Sequence, residues 1–107
     1  MTIQQICDRL AEEAGWKQVR DETTNPAHVF FTWVKDNVVL NAPFRDHSID
    51  DAIRGVGNDY YMSLWGAGGK WRAMLALHGM SVGVSGGEHS LPSHAVYFAI
   101  AKARGWM

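Results

Sequence analysis

The chain has one cysteine, no apolar run longer than a strand and no block of like charge, and each of these shortages removes a class of protein. With Cys7 alone no internal disulfide can form, which suits a reducing cytosol and sets aside the small disulfide-stapled scaffolds. The apolar runs fall short of the roughly 20 residues that a helix needs to cross a bilayer. Asp8, Glu12 and Glu13 stand where a secretory leader requires apolar residues, so no signal peptide is expected and the expected compartment is the cytoplasm. Ten Lys and Arg against eleven Asp and Glu leave a net charge of −1. That balance speaks against a dedicated nucleic-acid binder, whose affinity rests on neutralised phosphates, and equally against a strongly acidic nucleic-acid mimic.

What is present reads as one domain over residues 1–107, long enough to bury roughly two-thirds of its unfolded surface without staples. Thr2-Ile3-Gln4-Gln5 has the spacing of a capping box. Ile3, Ile6, Cys7, Leu10, Ala11 and Ala14 then form an apolar helical stripe that Gly15 closes, with Trp16 folding back on it. Gln18 to Ala27 reads as loop. His28 to Val34 is rich in β-branched and aromatic residues, and Lys35-Asp36-Asn37 turns it into Val38 to Ala42, giving a hairpin. Ser48 is the N-cap of a short helix carrying Ile49, Ala52, Ile53 and Val56. Its first turn places Asp50 and Asp51 against the positive end of the macrodipole.

The second half is organised around an aromatic ribbon. Asp59 to Trp65 is a strand, Gly66-Ala67-Gly68-Gly69 breaks it, and Lys70 to Leu77 resumes with Trp71, Ala73, Leu75 and Leu77 on one face. The other face carries Lys70, Arg72, Met74 and Ala76. His78-Gly79 makes a turn, Met80 to Val84 a short strand, and Ser85 to His89 loop chemistry. Ser90-Leu91-Pro92-Ser93 starts a last helix, striped by Leu91, Ala95, Phe98, Ala99 and Lys102 and ended by Gly105. Both outer helices end in glycine and then tryptophan (Gly15-Trp16, Gly105-Trp106), which reads as shared capping chemistry. The expected architecture is α+β: an antiparallel sheet of about five strands, an N-terminal and a C-terminal helix packed on it, and a short middle helix.

Leu10-Ala11-Glu12-Glu13-Ala14-Gly15-Trp16-Lys17, the Lys70-Trp71-Arg72-Ala73 strand and Ser90-Leu91-Pro92-Ser93-His94-Ala95-Val96 together resemble the phage ABA-sandwich domain, a group of small phage and prophage proteins. The likeness covers about half the chain. The hairpin from His28 to Ala42 is additional to that pattern, and the middle helix is shorter than it. The resemblance implies an antiparallel sheet with helices about it and a phage-encoded accessory protein in a bacterial host, and it brings no catalytic residue with it.

Motifs for chemistry are sparse. His78, His89 and His94 match no zinc spacing, and a metal needs three or four donors converging at about 2 Å, so no cofactor or metal is expected. Asp50 and Asp51 are adjacent and diverge by about 100° on a helix, which ill suits an acid and base pair. Gly83-Val84-Ser85-Gly86-Gly87 lacks the lysine and spacing of a phosphate loop, and Ser85 or Ser90 beside His89 or His94 lacks a nucleophile elbow. The residues singled out for function are instead Tyr60, Tyr61, Trp65, Lys70, Trp71 and Arg72, aromatics interleaved with cations around one hairpin, the composition of a contact surface. Three classes follow: a protein that binds a host protein, such as a component of antiviral defence; a nucleic-acid accessory module using Trp65, Lys70, Trp71 and Arg72; and a small-molecule or metal site near His78, His89 and His94. A free strand edge leaves a homodimer open as well.

Overall fold

The structure, a computed structural model, describes residues 1–21, 30–79 and 83–107. The chain runs α1 (Ile3–Glu13), β1 (Lys17–Asp21), β2 (Phe30–Lys35), β3 (Val38–Leu40), α2 (Ile49–Val56), β4 (Tyr60–Ala67), β5 (Lys70–Leu77), β6 (Val84–His89) and α3 (Pro92–Ala103). The α+β class and the antiparallel pairing hold. The single sheet of about five strands does not: there are two three-stranded sheets, ordered β1-β2-β3 and β4-β5-β6.

Local chemistry accounts for most of the elements. At the start of α1 the Thr2 hydroxyl accepts from Gln5 N at 3.2 Å, while Gln5 Oε1 accepts from Thr2 N at 2.8 Å. Its far end is a Schellman cap: Gly15, at φ +93°, donates to Glu12 O, and Trp16 N donates to Ala11 O at 3.0 Å. α3 ends the same way, with Gly105 donating to Lys102 O and Trp106 to Ala101 O, so the repeated glycine and tryptophan do share one capping chemistry. Asp36 and Asn37 both take positive φ between the paired Lys35 and Val38, the conformation that a two-residue hairpin turn requires. Gly68 and Gly69 do the same between Ala67 and Lys70.

The second sheet, α3 and the pair α1 and α2 form successive layers. α3 packs on β5 and β6 with one side and meets α1 and α2 with the other. The expectation that both outer helices lie on the sheet is corrected here, since α1 packs principally on α3. An amphipathic stripe does not describe α3 either. Ala95, Val96, Tyr97, Ala99, Ile100 and Ala101 are all buried, which wraps most of its circumference, as befits a helix between two layers. Ser93 donates to Asp46 O at 2.9 Å and the Tyr97 hydroxyl to Arg45 O at 2.8 Å, so its polar groups fasten the segment before α2.

Two strands take in residues read as loop, Gln18 to Asp21 and Ser85 to His89. Lys17 to Asp21 pairs in register with Phe30 to Val34, so partnership overrides a polar composition. Val84 to His89 pairs with β5 through a register shift between Arg72 and Met74. Gly86 serves close approach: a Cβ there would sit 2.4 Å from Ala99 N and 2.5 Å from Phe98 C. Met80 to Val82 of the expected short strand, and the expected residues from Glu22 to Val29, lie outside the described residues.

The first sheet stands beside the stack. Among its described residues Trp33 is the buried one, and Lys35 Nζ donates to Ala14 O at 2.5 Å, tying β2 to the end of α1. The radius of gyration is 15.5 Å, with extents of 52 × 31 × 22 Å, against about 13 Å for a sphere-like chain of this length. Among the described residues no helix is long and apolar enough to cross a membrane.

Candidate functional site

The β4–β5 hairpin distributes the six singled-out residues over two faces. Cross-strand partners share a face, and the register pairs Tyr60 with Leu77, Met62 with Leu75, Leu64 with Ala73 and Gly66 with Trp71. Ala73 and Leu75 are buried, and Tyr60, Met62, Leu64 and Trp71 pack against the core, so this face meets α3. Trp71 lies over Gly66, where a Cβ would meet its ring at 2.8 Å. Tyr60 and Trp71 are therefore half-buried on the core-facing side of the hairpin, the face opposite Tyr61 and Trp65.

Among the described residues no helix covers the opposite face. Tyr61 pairs with Ala76, Ser63 with Met74, Trp65 with Arg72 and Ala67 with Lys70. Tyr61 is 65% exposed, Trp65 44% and Met74 37%. Arg72 reaches Glu88 of β6 at 3.4 Å, an exposed pair that adds order more than energy. Trp65, Lys70, Trp71, Arg72 and Glu88 border a shallow depression of about 140 Å³ at the hairpin's end. Tyr61 stacks on His78 at 4.0 Å between ring centroids, which holds the phenol ring upright without burying it. Tyr61, Trp65, Lys70 and Arg72 thus come together on one face, and Met74 joins them; period-two alternation in β5 places Met74 beside Arg72, which is the signal that could have added it.

The histidines do not converge in this way. His78 lies against Tyr61, whereas His89 stacks on Phe98 at 4.5 Å and its Nε2 is 2.9 Å from Gly86 O. Among the described residues no group of three or more His, Cys, Asp or Glu side chains could hold a metal ion. Of the serine and histidine pairs, Ser85 and His89 hold different partners: Ser85 Oγ accepts from Gly87 N, while His89 Nε2 lies 2.9 Å from Gly86 O.

Asp50 and Asp51 divide as adjacent helical positions must. Asp50 is exposed, and Asp51 is buried with its carboxylate accepting from Arg45 N at 2.9 Å and Arg45 Nε at 3.0 Å. Burial alone would raise the Asp51 carboxyl, but those bonds and the nearby Arg54 hold it below the ordinary carboxylate range. Its work is to bind the segment before α2. Burial likewise pushes the Cys7 thiol up to about 11 and the Tyr97 phenol well above its ordinary value. A thiol so raised is a poor nucleophile.

No protein-family model matches the chain, and neither a curated protein nor a solved structure shows significant similarity to it.

Proposed function

We propose that this chain is a small phage or prophage accessory protein that acts by binding a host protein, such as a component of antiviral defence, through the outer face of β4 and β5. One observation carries the binding half of this reading. Tyr, Trp, Met and Arg are the residue types enriched at protein interfaces, and Tyr61, Trp65, Met74 and Arg72 stand together on a sheet face that no helix covers among the described residues. Tyr61 and Trp65 supply broad, rigid, amphipathic area, the material of hot spots. The cations Lys70 and Arg72 at one end favour a partner whose apolar patch is bordered by carboxylates. The phage context rests on the resemblance described above.

The experiment compares tagged wild-type protein with Tyr61→Ala and Trp65→Ala as baits in bacterial lysate, with a salt titration against single-stranded DNA alongside. A discrete protein retained by the wild type and lost from both variants supports the reading. Binding to DNA that falls steeply with salt would replace it with the nucleic-acid module, since phosphate neutralisation demands that slope.

A second reading concerns self-association. The edge strand β3 exposes Val38, Val39 and Leu40, with no charged residue within the strand to discourage pairing. Pairing of two β3 strands would make a homodimer with a continuous sheet. Sedimentation of the wild type against Val39→Lys tests this, a concentration-dependent dimer lost in the variant being the expected outcome and a monomer at all concentrations the contrary one.

A further inference from the structure

We propose that the cleft between the first sheet and the α1–α2 side of the molecule is a binding site for a small organic acid, an anionic head joined to a flat apolar body. Two adjoining depressions, of about 330 and 240 Å³, share Ala14, Phe44 and Arg54. The larger is walled by Trp16, Leu40, Pro43 and Phe44, carries the cations Lys35 and Arg54, and has no carboxylate in its lining. Its volume lies at the lower end of the roughly 300–1,000 Å³ typical of small-ligand pockets, which combine apolar walls with a few placed polar groups.

The charge within it is incompletely answered. Lys35 Nζ donates to Ala14 O, the carbonyl at the cap of α1, and this uses one of the three donors of an ammonium. Among the described residues no carboxylate bonds Lys35. Arg54 is held in place from below: its guanidinium lies 4.6 Å above the Phe44 ring, donates to Pro43 O and stands 3.4 Å from Asp51 Oδ1. Asp51 also serves Arg45, so the cleft as a whole keeps a positive bias. In the smaller depression Arg104 is paired with Glu13, which makes that side near neutral. An acid group therefore belongs in the larger one, accepting from Lys35 and Arg54, with its apolar body on Trp16 and Leu40. α3 stands between this cleft and the outer face of β4 and β5, so the inference is independent of the partner-binding reading.

The test uses 1-naphthylacetate, its neutral amide 1-naphthylacetamide and inorganic phosphate as probes, each titrated to the millimolar range and followed by proton–nitrogen NMR. The acid should shift the Trp16 indole and the Lys35 and Leu40 amides saturably, and bind at least about tenfold more tightly than the amide or phosphate. Lys35→Gln should remove about tenfold of the acid's affinity and leave the amide's unchanged; this variant spares the contacts of Arg54 with Asp51, and an otherwise unaltered spectrum verifies its fold. Equal binding of acid and amide, equal binding of acid and phosphate, unaltered binding to Lys35→Gln, shifts centred on Trp65 and Trp71, or no saturable shift would each overturn the proposal.

Discussion

Replacing Gly86 by alanine tests the layered architecture at its tightest point. The added Cβ would lie 2.4 Å from Ala99 N and 2.5 Å from Phe98 C, where about 3.5 Å or more is comfortable. Both obstructing atoms are backbone of α3, so no side chain can swing aside; β6 and α3 must separate by on the order of 1 Å. The φ of Gly86 lies outside the left-handed region, which makes the penalty one of contact alone. Overpacking of a core typically costs about 1–3 kcal/mol, and a backbone obstruction belongs at the upper end, about 3 kcal/mol. With a urea m-value of about 1.5 kcal/mol/M, the unfolding midpoint should fall by about 2 M. Ser63→Ala, on the exposed face of the same sheet, should leave it within about 0.3 M. A Gly86→Ala midpoint within about 0.5 M of the wild type would refute the contact between β6 and α3.

Three further outcomes follow from the same structure. The thiol of Cys7 is raised from 9.0 to about 11, so its contribution is full below pH 9 and lost as pH climbs through 11; urea midpoints should drop over that interval by the equivalent of about 2–3 kcal/mol, and less in Cys7→Ala, an equal drop in both contradicting the assignment. Asp51 is depressed below 3.8, so its contribution is present above that value and lost as the solution is acidified through the folded pKa; Asp51→Asn should cost about 2 kcal/mol at pH 7 by denaturant titration, with the gap from wild type narrowing as the pH falls below 3.8. Trp71→Ala should cost about 2–3 kcal/mol because Trp71 packs on Gly66 and the core, whereas Trp65→Ala should cost less than about 1 kcal/mol, and a reversal of that order would invert the faces of the hairpin.

Features written in local chemistry were legible in the sequence. The capping box at Thr2, the two glycine and tryptophan helix ends, the Ser48 cap and the faces of β5 all depend on residues within a few positions of one another. What escaped depends on distant partners. Gly86 and Gly87 read as loop because their composition is that of a loop, yet the reason for glycine at 86 is a helix thirteen residues later in sequence (Ala99) that presses against it. Lys17 to Asp21 has no apolar alternation and becomes a strand through its pairing with β2. Tyr97 fell off the expected stripe of α3 because a stripe presumes one buried face, and α3 has two layers to satisfy. For the candidate site, alternation correctly divided the two faces of β5, Trp71 included, but only the register of β4 shows that Tyr60 turns inward while Tyr61 and Trp65 turn out. The cleft beside Lys35 and Arg54 joins elements distant in sequence and left no local pattern to find.

The most direct test of the claim that the outer face of β4 and β5 meets a protein is site-specific photo-crosslinking in bacterial lysate. A benzophenone side chain is placed in turn at Trp65, at Tyr61 and, as a control on the exposed side of α1, at Glu12. One discrete adduct from the first two positions and none from the third is the predicted result. Adducts of equal yield from all three positions, or from Glu12 alone, would contradict it.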